Sequence, residues 1–138
     1  MRYLGLDLGT RTLGISISDT TGLIASAYKT LHFRENDYES LIDPLSEIIN
    51  EFNVSEVVLG LPKNMDNSLG FAADRSLNFK ALLESKLGLI VHLEDERLTS
   101  VEADKIMLEA DISRNKRKKK IDALAATIIL QSYLDSRR

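Results

Sequence analysis

Residues Gly5 to Asp19 read GLDLGTRTLGISISD, and the fold follows from how the apolar residues in and around this stretch alternate. Leu4, Leu6 and Leu8 fall on one side of an extended chain and Tyr3, Gly5 and Asp7 on the other, because successive strand side chains point to opposite faces. Leu13, Ile15 and Ile17 repeat the pattern, with Gly14, Ser16 and Ser18 opposite them. The connection Gly9 to Thr12 (GTRT) is short enough for a hairpin. Two antiparallel strands are therefore expected, with the carboxylate of Asp7 set on the face away from the leucines. A third strand, Leu23 to Leu31, follows the turn at Thr21-Gly22.

Beyond the strands, Leu41, Leu45, Ile48, Ile49 and Phe52 recur at helical spacing. Pro44 either opens that helix or kinks a longer one. The short apolar runs Val57-Val58-Leu59 and Leu89-Ile90-Val91 suit strands covered on both faces. Ser68 is a cap for a helix running to about Leu87, and Thr99 with Glu102 forms a capping box for the next. The last helix is predicted to bury Ile121, Leu124, Ala125 and Ile128. Three strands followed by alternating helices and strands give an α/β fold: a mixed five-stranded sheet, three antiparallel strands then two parallel, flanked by helices. That arrangement resembles ribonuclease H.

At 138 residues the chain has room for one hydrophobic core, so a single domain over residues 1–138 is expected. Its 43% apolar and 28% charged content is that of a globular protein rather than a disordered one. Without cysteine it has neither a disulfide framework nor a thiolate metal site. The opening residues fit neither a signal peptide nor a membrane span, so cytoplasmic residence with no membrane partner is the expectation. A net charge of −3 argues against a nucleic-acid partner until its placement is considered. In Arg114 to Lys120 (RNKRKKK) every residue but Asn115 is cationic, which concentrates positive charge where a phosphate backbone can be held.

Three carboxylates fall at telling places: Asp7 at the end of the first strand, Glu96 just past the last, and Asp122 in the first turn of the final helix. Strands that run the same way end on one edge of the sheet, where chemistry collects in open α/β folds. Hard oxygen ligands there suit Mg²⁺ or Mn²⁺. Each residue alone has a plainer account: a turn residue at Asp7, a solvated charge run around Glu96, and a dipole-favoured acid at Asp122.

The surrounding strings resemble the YqgF/RuvX family of Holliday-junction-resolvase-like proteins over nearly the whole chain. The opening hairpin, GLPKNMDNSLG (Gly60 to Gly70), DERLTSVEA (Asp95 to Ala103) and KKKIDALAATIILQSYLD (Lys118 to Asp135) occur in that family's order and spacing. The resemblance implies a nuclease in which Asp7, Glu96 and Asp122 are catalytic, holding Mg²⁺ or Mn²⁺, two ions in all. It implies as substrate the precursor of small-subunit ribosomal RNA, with branched DNA as the older family proposal. Ribosomal particles follow as possible partners, the protein acting as a monomer or homodimer. Two positions depart from the family pattern. Asn67 replaces a common Gly, and Asn tolerates left-handed geometry. Thr12 replaces a common Arg, with Arg11 beside it as the available cation.

Substrate-holding candidates cluster near these motifs. The polar loop from Lys63 to Ser68 leads into a helix N-terminus whose free amides suit a phosphate; Lys63, Asn64, Asp66 and Ser68 belong to it. Its plainer account is a strand-to-helix loop with a serine cap. Arg97 either clamps a phosphate or pairs with Asp95 or Glu94. Lys118 and Lys120 precede Asp122 and supply attraction without sequence reading. His92 is expected to be a satisfied core residue, and His32 ends a strand with no evident partner. Two rival functions share the opening motif or the fold. DLGTRT also resembles the phosphate loop of actin-like ATPases, which need a second domain that this chain has no room for, and a non-catalytic nucleic-acid-binding module would bind without regard to metal.

Overall fold

The structure, a computed structural model, describes residues 1–62, 70–95 and 114–137, with side chains in the last segment from residue 123 onward. Five strands, β1 (Arg2–Leu8), β2 (Thr12–Ser18), β3 (Ala25–His32), β4 (Val54–Leu61) and β5 (Val91–Asp95), form one sheet in the order β3-β2-β1-β4-β5. β2 pairs antiparallel with β1 and with β3. β4 runs parallel to β1, and β5 parallel to β4. The expected sheet, three antiparallel strands and then two parallel, is the one observed.

Three helices complete the described fold: α1 (Ile42–Phe52), α2 (Phe71–Leu87) and α3 (Arg114–Ser136). A 3₁₀ turn, Tyr38–Leu41, leads into α1. Pro44 neither opens nor kinks α1; it is the third residue, within the first turn, where a missing N–H costs no helical bond. The helix closes on Asn53 in left-handed geometry, φ 54°. Gly88 ends α2 the same way, φ 68°, its amide donating to the Glu84 carbonyl at 3.1 Å. Only a residue without a Cβ penalty takes that conformation at no cost.

The sheet is covered on both sides. On one, Leu4, Leu6, Leu8, Leu13, Ile15, Val57 and Leu59 pack with Leu45 and Ile48 of α1 and Phe79 and Leu83 of α2. On the other, Tyr3 and Val58 pack with Ile129, Leu130, Tyr133 and Leu134 of α3. Burial on both faces explains the continuous apolar run of β4. Gly5 sits where α3 comes closest: a Cβ there would lie 2.3 Å from Ser16 Oγ, 2.7 Å from Leu130 Cβ and 3.0 Å from the Ala126 carbonyl.

Several expected boundaries move. β3 starts at Ala25, after the Asp19–Ile24 turn closed by the Asp19 amide on the Ile24 carbonyl, 3.0 Å. β5 begins at Val91 rather than Leu89, because Gly88 has just ended α2 and Ile90, 59% exposed, lies in the connection. α2 starts at Phe71 on Gly70, with no side-chain cap bond; Ser68 and the helix predicted from Thr99 lie outside the described residues. α3 is described from Arg114 onward, so the basic run is helical and not a loop, as suits good helix formers with no Gly or Pro among them. Asp122, eight residues after Arg114, is consequently in the third turn and not the first, which removes the helix-dipole account of its presence. The buried stripe of α3 is Ala125, Ala126, Ile129, Leu130, Tyr133 and Leu134. Leu124 and Ile128 are only half-buried. Ile121 falls among the side chains not described. From Ala123 to Leu130 the helix is apolar almost all round, so its periodicity left the buried face undecided.

Candidate functional site

Asp7 is the last residue but one of β1, half-buried, on the sheet face that α3 covers. Its hydrogen-bonding neighbour across the hairpin is Gly14, which in turn faces Thr30 of β3. Extending the Leu6–Leu59 pairing by one residue sets Gly60 of β4 on its other side, and Gly60 is paired with Glu94 of β5. A row Thr30, Gly14, Asp7, Gly60, Glu94 thus crosses the sheet near the carboxyl ends of its three parallel strands. Both lateral neighbours of Asp7 in the sheet are glycines, which carry no side chain. That suits a carboxylate that must reach a cation and its waters.

The register between β1 and α3 locates Asp122. The Tyr3 and Tyr133 rings lie 6.0 Å apart, and Gly5 faces Leu130 and Ala126. Going forward along β1 is therefore going backward along α3. One more step of two strand residues, about 6.8 Å, spans between four and five helical residues at about 1.5 Å each. The turn of α3 that carries Asp122 stands level with Asp7. Ser16 anchors this crossing, its hydroxyl donating to the Ala126 carbonyl at 2.8 Å.

Of the other predicted site residues, Lys63, Asn64, Asp66, Ser68, Glu96 and Arg97 lie outside the described residues. Asp122, Lys118 and Lys120 are placed in α3 by backbone only. Among the described residues no group of three or more His, Cys, Asp or Glu side chains assembles around a possible metal position; two of the three predicted ligand side chains are not among them. Glu96 follows directly on β5, whose alternation puts His92 and Glu94 on the α3 side. Glu94 accepts a hydrogen bond from the Ser132 hydroxyl at 3.3 Å. Sequence reading treated Glu94 only as a partner for Arg97, and missed that the sheet register aligns it with Asp7.

Arg11 occupies the β1–β2 turn, 74% exposed, with its guanidinium 3.7 Å from Glu35. Thr12 pairs with His32, and the Phe33 amide donates to the Arg11 carbonyl at 3.0 Å. Arg11, His32, Phe33, Arg34 and Glu35 line an open depression of about 590 Å³. His32, unpartnered in the sequence, joins Arg11 through the β2–β3 register, and Arg34, unremarked there, lines the same depression.

His92 is satisfied as expected, though at the edge of the core and not inside it. Its Nε2 lies 2.5 Å from Glu56 Oε1 and its ring stacks on Tyr133 at 4.9 Å. Burial pushes the Tyr133 hydroxyl up from its ordinary value, opposed by the bond it accepts from Arg137 at 2.7 Å. Asp19 lies at the opposite end of the sheet. The Thr21 hydroxyl and the amides of Ile24 and Leu23 hold its carboxyl well below the usual carboxylate range. No helix among the described residues is long and apolar enough to cross a membrane.

A family model described as RuvX, Holliday junction resolvase, matches residues 1–136. A protein of Leuconostoc mesenteroides named "Putative pre-16S rRNA nuclease" is 52% identical over 138 residues, covering 99% of this chain and 96% of that one. A protein of Listeria monocytogenes with the same name is 48% identical over 136 residues, covering 99% of both. Among solved structures, Thermus thermophilus RuvC in complex with a Holliday junction substrate superposes with a TM-score of 0.59 at 16% identity, covering 99% of this chain and 95% of that one. The fowlpox virus resolvase with Holliday junction DNA gives 0.60 at 14%, covering 99% of both. At such identities the structural likeness speaks for the fold: the sheet and its helices are those of the RuvC-like, ribonuclease H-like group.

Proposed function

The chain belongs to the RuvX family of Holliday junction resolvases, and from that membership we propose that it is a nuclease that hydrolyses nucleic-acid phosphodiesters in the maturation of the small-subunit ribosomal RNA precursor. The names of its relatives at about half identity over the full chain support the RNA substrate, and the family description keeps branched DNA as the second. The alignment of Asp7 with the α3 turn that holds Asp122 carries the chemical part.

In this function residues 1–138 act as one nuclease domain in the cytoplasm, on the free precursor or on assembling ribosomal particles. Asp7, Glu96 and Asp122 would hold Mg²⁺ or Mn²⁺; a carboxylate flanked in the sheet by Gly14 and Gly60 and an all-oxygen donor set fit such ions. Two divalent ions bound there would supply activation of water and neutralisation of charge on the phosphate. The chain's own groups bind and orient. Lys118 and Lys120, on the same helix as Asp122, draw the backbone to the site, while Arg11, Lys63, Asn64, Ser68 and Arg97 hold flanking phosphates. No side chain serves as a nucleophile, and no covalent intermediate forms.

The test is cleavage of ribosomal RNA precursor and of four-way junction DNA in parallel, with Mg²⁺, with Mn²⁺ and with chelator. Metal-dependent cutting of the precursor by the wild type, absent in Asp7→Asn, is expected. Equal binding of both nucleic acids with no cutting under any metal would instead favour the non-catalytic module.

A further inference from the structure

We infer that Arg11, His32 and Arg34 form a phosphate track that carries the nucleic-acid backbone away from the carboxylate site, and that Glu35 holds Arg11 until the backbone displaces it. This rests on the nuclease reading of the Asp7 site and adds to it a direction for the substrate.

Placement is the first support. The β1–β2 turn and the end of β3 lie on the sheet edge where β1 delivers Asp7. Gly14 pairs with Asp7, and Thr12, two residues before it, pairs with His32, so strand alternation puts His32 on the Asp7 side of the sheet. Two residues along a strand and two strands across place His32 about 12 Å from Asp7 at the backbone. Three or four nucleotides cover that distance at about 3.4 Å each along a helix axis.

Composition is the second. A chain of net charge −3 places two permanent guanidinium cations and an imidazole around one open depression, with Glu35 as the carboxylate among the residues that line it. Guanidinium forks match phosphate oxygens in pairs. Arg11, His32 and Arg34 are all exposed, so binding requires no rearrangement of the core. The backbone bond from Phe33 to the Arg11 carbonyl ties turn and strand end together, and the Phe33 ring packs at 5.6 Å on Tyr38.

Glu35 is the third. Its ion pair with Arg11 spans 3.7 Å between side chains 74% and 55% exposed. Exposed pairs of this kind contribute little to stability, so a phosphate displaces the carboxylate easily, and the pair mainly lowers affinity for the backbone.

Fluorescence anisotropy without divalent metal, using a labelled RNA hairpin and a DNA hairpin of the same sequence, tests the track. Arg11→Ala and Arg34→Ala are each expected to weaken binding severalfold and to reduce the slope of log affinity against log salt by about 0.7–0.9. Glu35→Gln is expected to tighten binding. Weakening confined to one hairpin supports the track and identifies its occupant as RNA or DNA. Unchanged affinity and slope in both arginine variants, with Lys118→Ala/Lys120→Ala weakened, would overturn the track and leave the nuclease reading intact. Absence of binding by the wild type at low salt would overturn both.

Discussion

The Ser16 hydroxyl of β2 donates a hydrogen bond of 2.8 Å to the Ala126 carbonyl of α3, across 110 residues of chain. Both groups are buried, and Gly5 lies directly against them. This contact sets the height of α3 over β1, and hence the level of the helical turn that carries Asp122. Gly5→Ala would force a methyl group into Ser16 Oγ and Leu130 Cβ. It is expected to cost roughly 1–3 kcal/mol in urea unfolding and to lower cleavage even where the protein is fully folded. Ser16→Ala costs about 0.5–1.5 kcal/mol. Because it removes one of the clashing atoms, the double variant should be less destabilised than the sum of the singles.

Asp7→Asn keeps the size of the side chain while removing its charge at a half-buried position. Thermal unfolding should move by no more than about 1 kcal/mol. Cleavage should fall on the order of 10³-fold, the equivalent of about 4 kcal/mol of lost transition-state stabilisation.

Glu56 and His92 form a contact of 2.5 Å, with 17% and 28% of their side chains exposed, beneath the Tyr133 ring. A double-mutant cycle with Glu56→Gln and His92→Gln should return a coupling of about 1 kcal/mol. Partial burial should preserve most of it in 1 M salt, where a fully exposed pair would be screened. Cleavage should be unaffected, since Glu56 is level with Tyr3 and His92 with Gly5, both short of the row that holds Asp7.

Asp19 is expected to make stability depend on pH at the acid end. Its folded-state pKa lies below the ordinary 3.8, because the Thr21 hydroxyl and the Ile24 and Leu23 amides bond the ionised carboxylate. A depressed carboxyl pKa contributes stability that is complete above the unfolded value and is lost as pH falls through the folded one. Asp19→Asn should therefore narrow the loss of stability below about pH 4, relative to wild type, and leave the slope above pH 5 unchanged. Urea midpoints across that range measure the difference.

Strand pairing was the most legible part of the fold. The alternation of Leu4, Leu6 and Leu8, and of Leu13, Ile15 and Ile17, assigns each set to one face of a hairpin, and the observed pairing keeps both sets on the same face. The helix ends were less so: Lys and Arg extend helices as readily as they populate loops, so nothing local marked Arg114 to Lys120 as part of α3. The orientation of α3 was hidden by a run apolar on every side, and was decided by Gly5 and Ser16, whose small side chains make room for Ala126. Asp7 was legible because alternation alone turns it away from the leucines. Glu94, His32 and Arg34 were not, because the relation of Glu94 to Asp7 and of His32 to Arg11 exists only through strand pairing, and Arg34 joins them only where the chain leaves β3.

Manganese binding, counted by electron paramagnetic resonance during titration of the intact chain, addresses the shared metal site itself. Asp7, Glu96 and Asp122 acting together predict tight Mn²⁺ in the wild type that is lost in Asp7→Asn and in Asp122→Asn alike, with both variants still folded. Wild-type Mn²⁺ affinity and stoichiometry retained in either variant would contradict it.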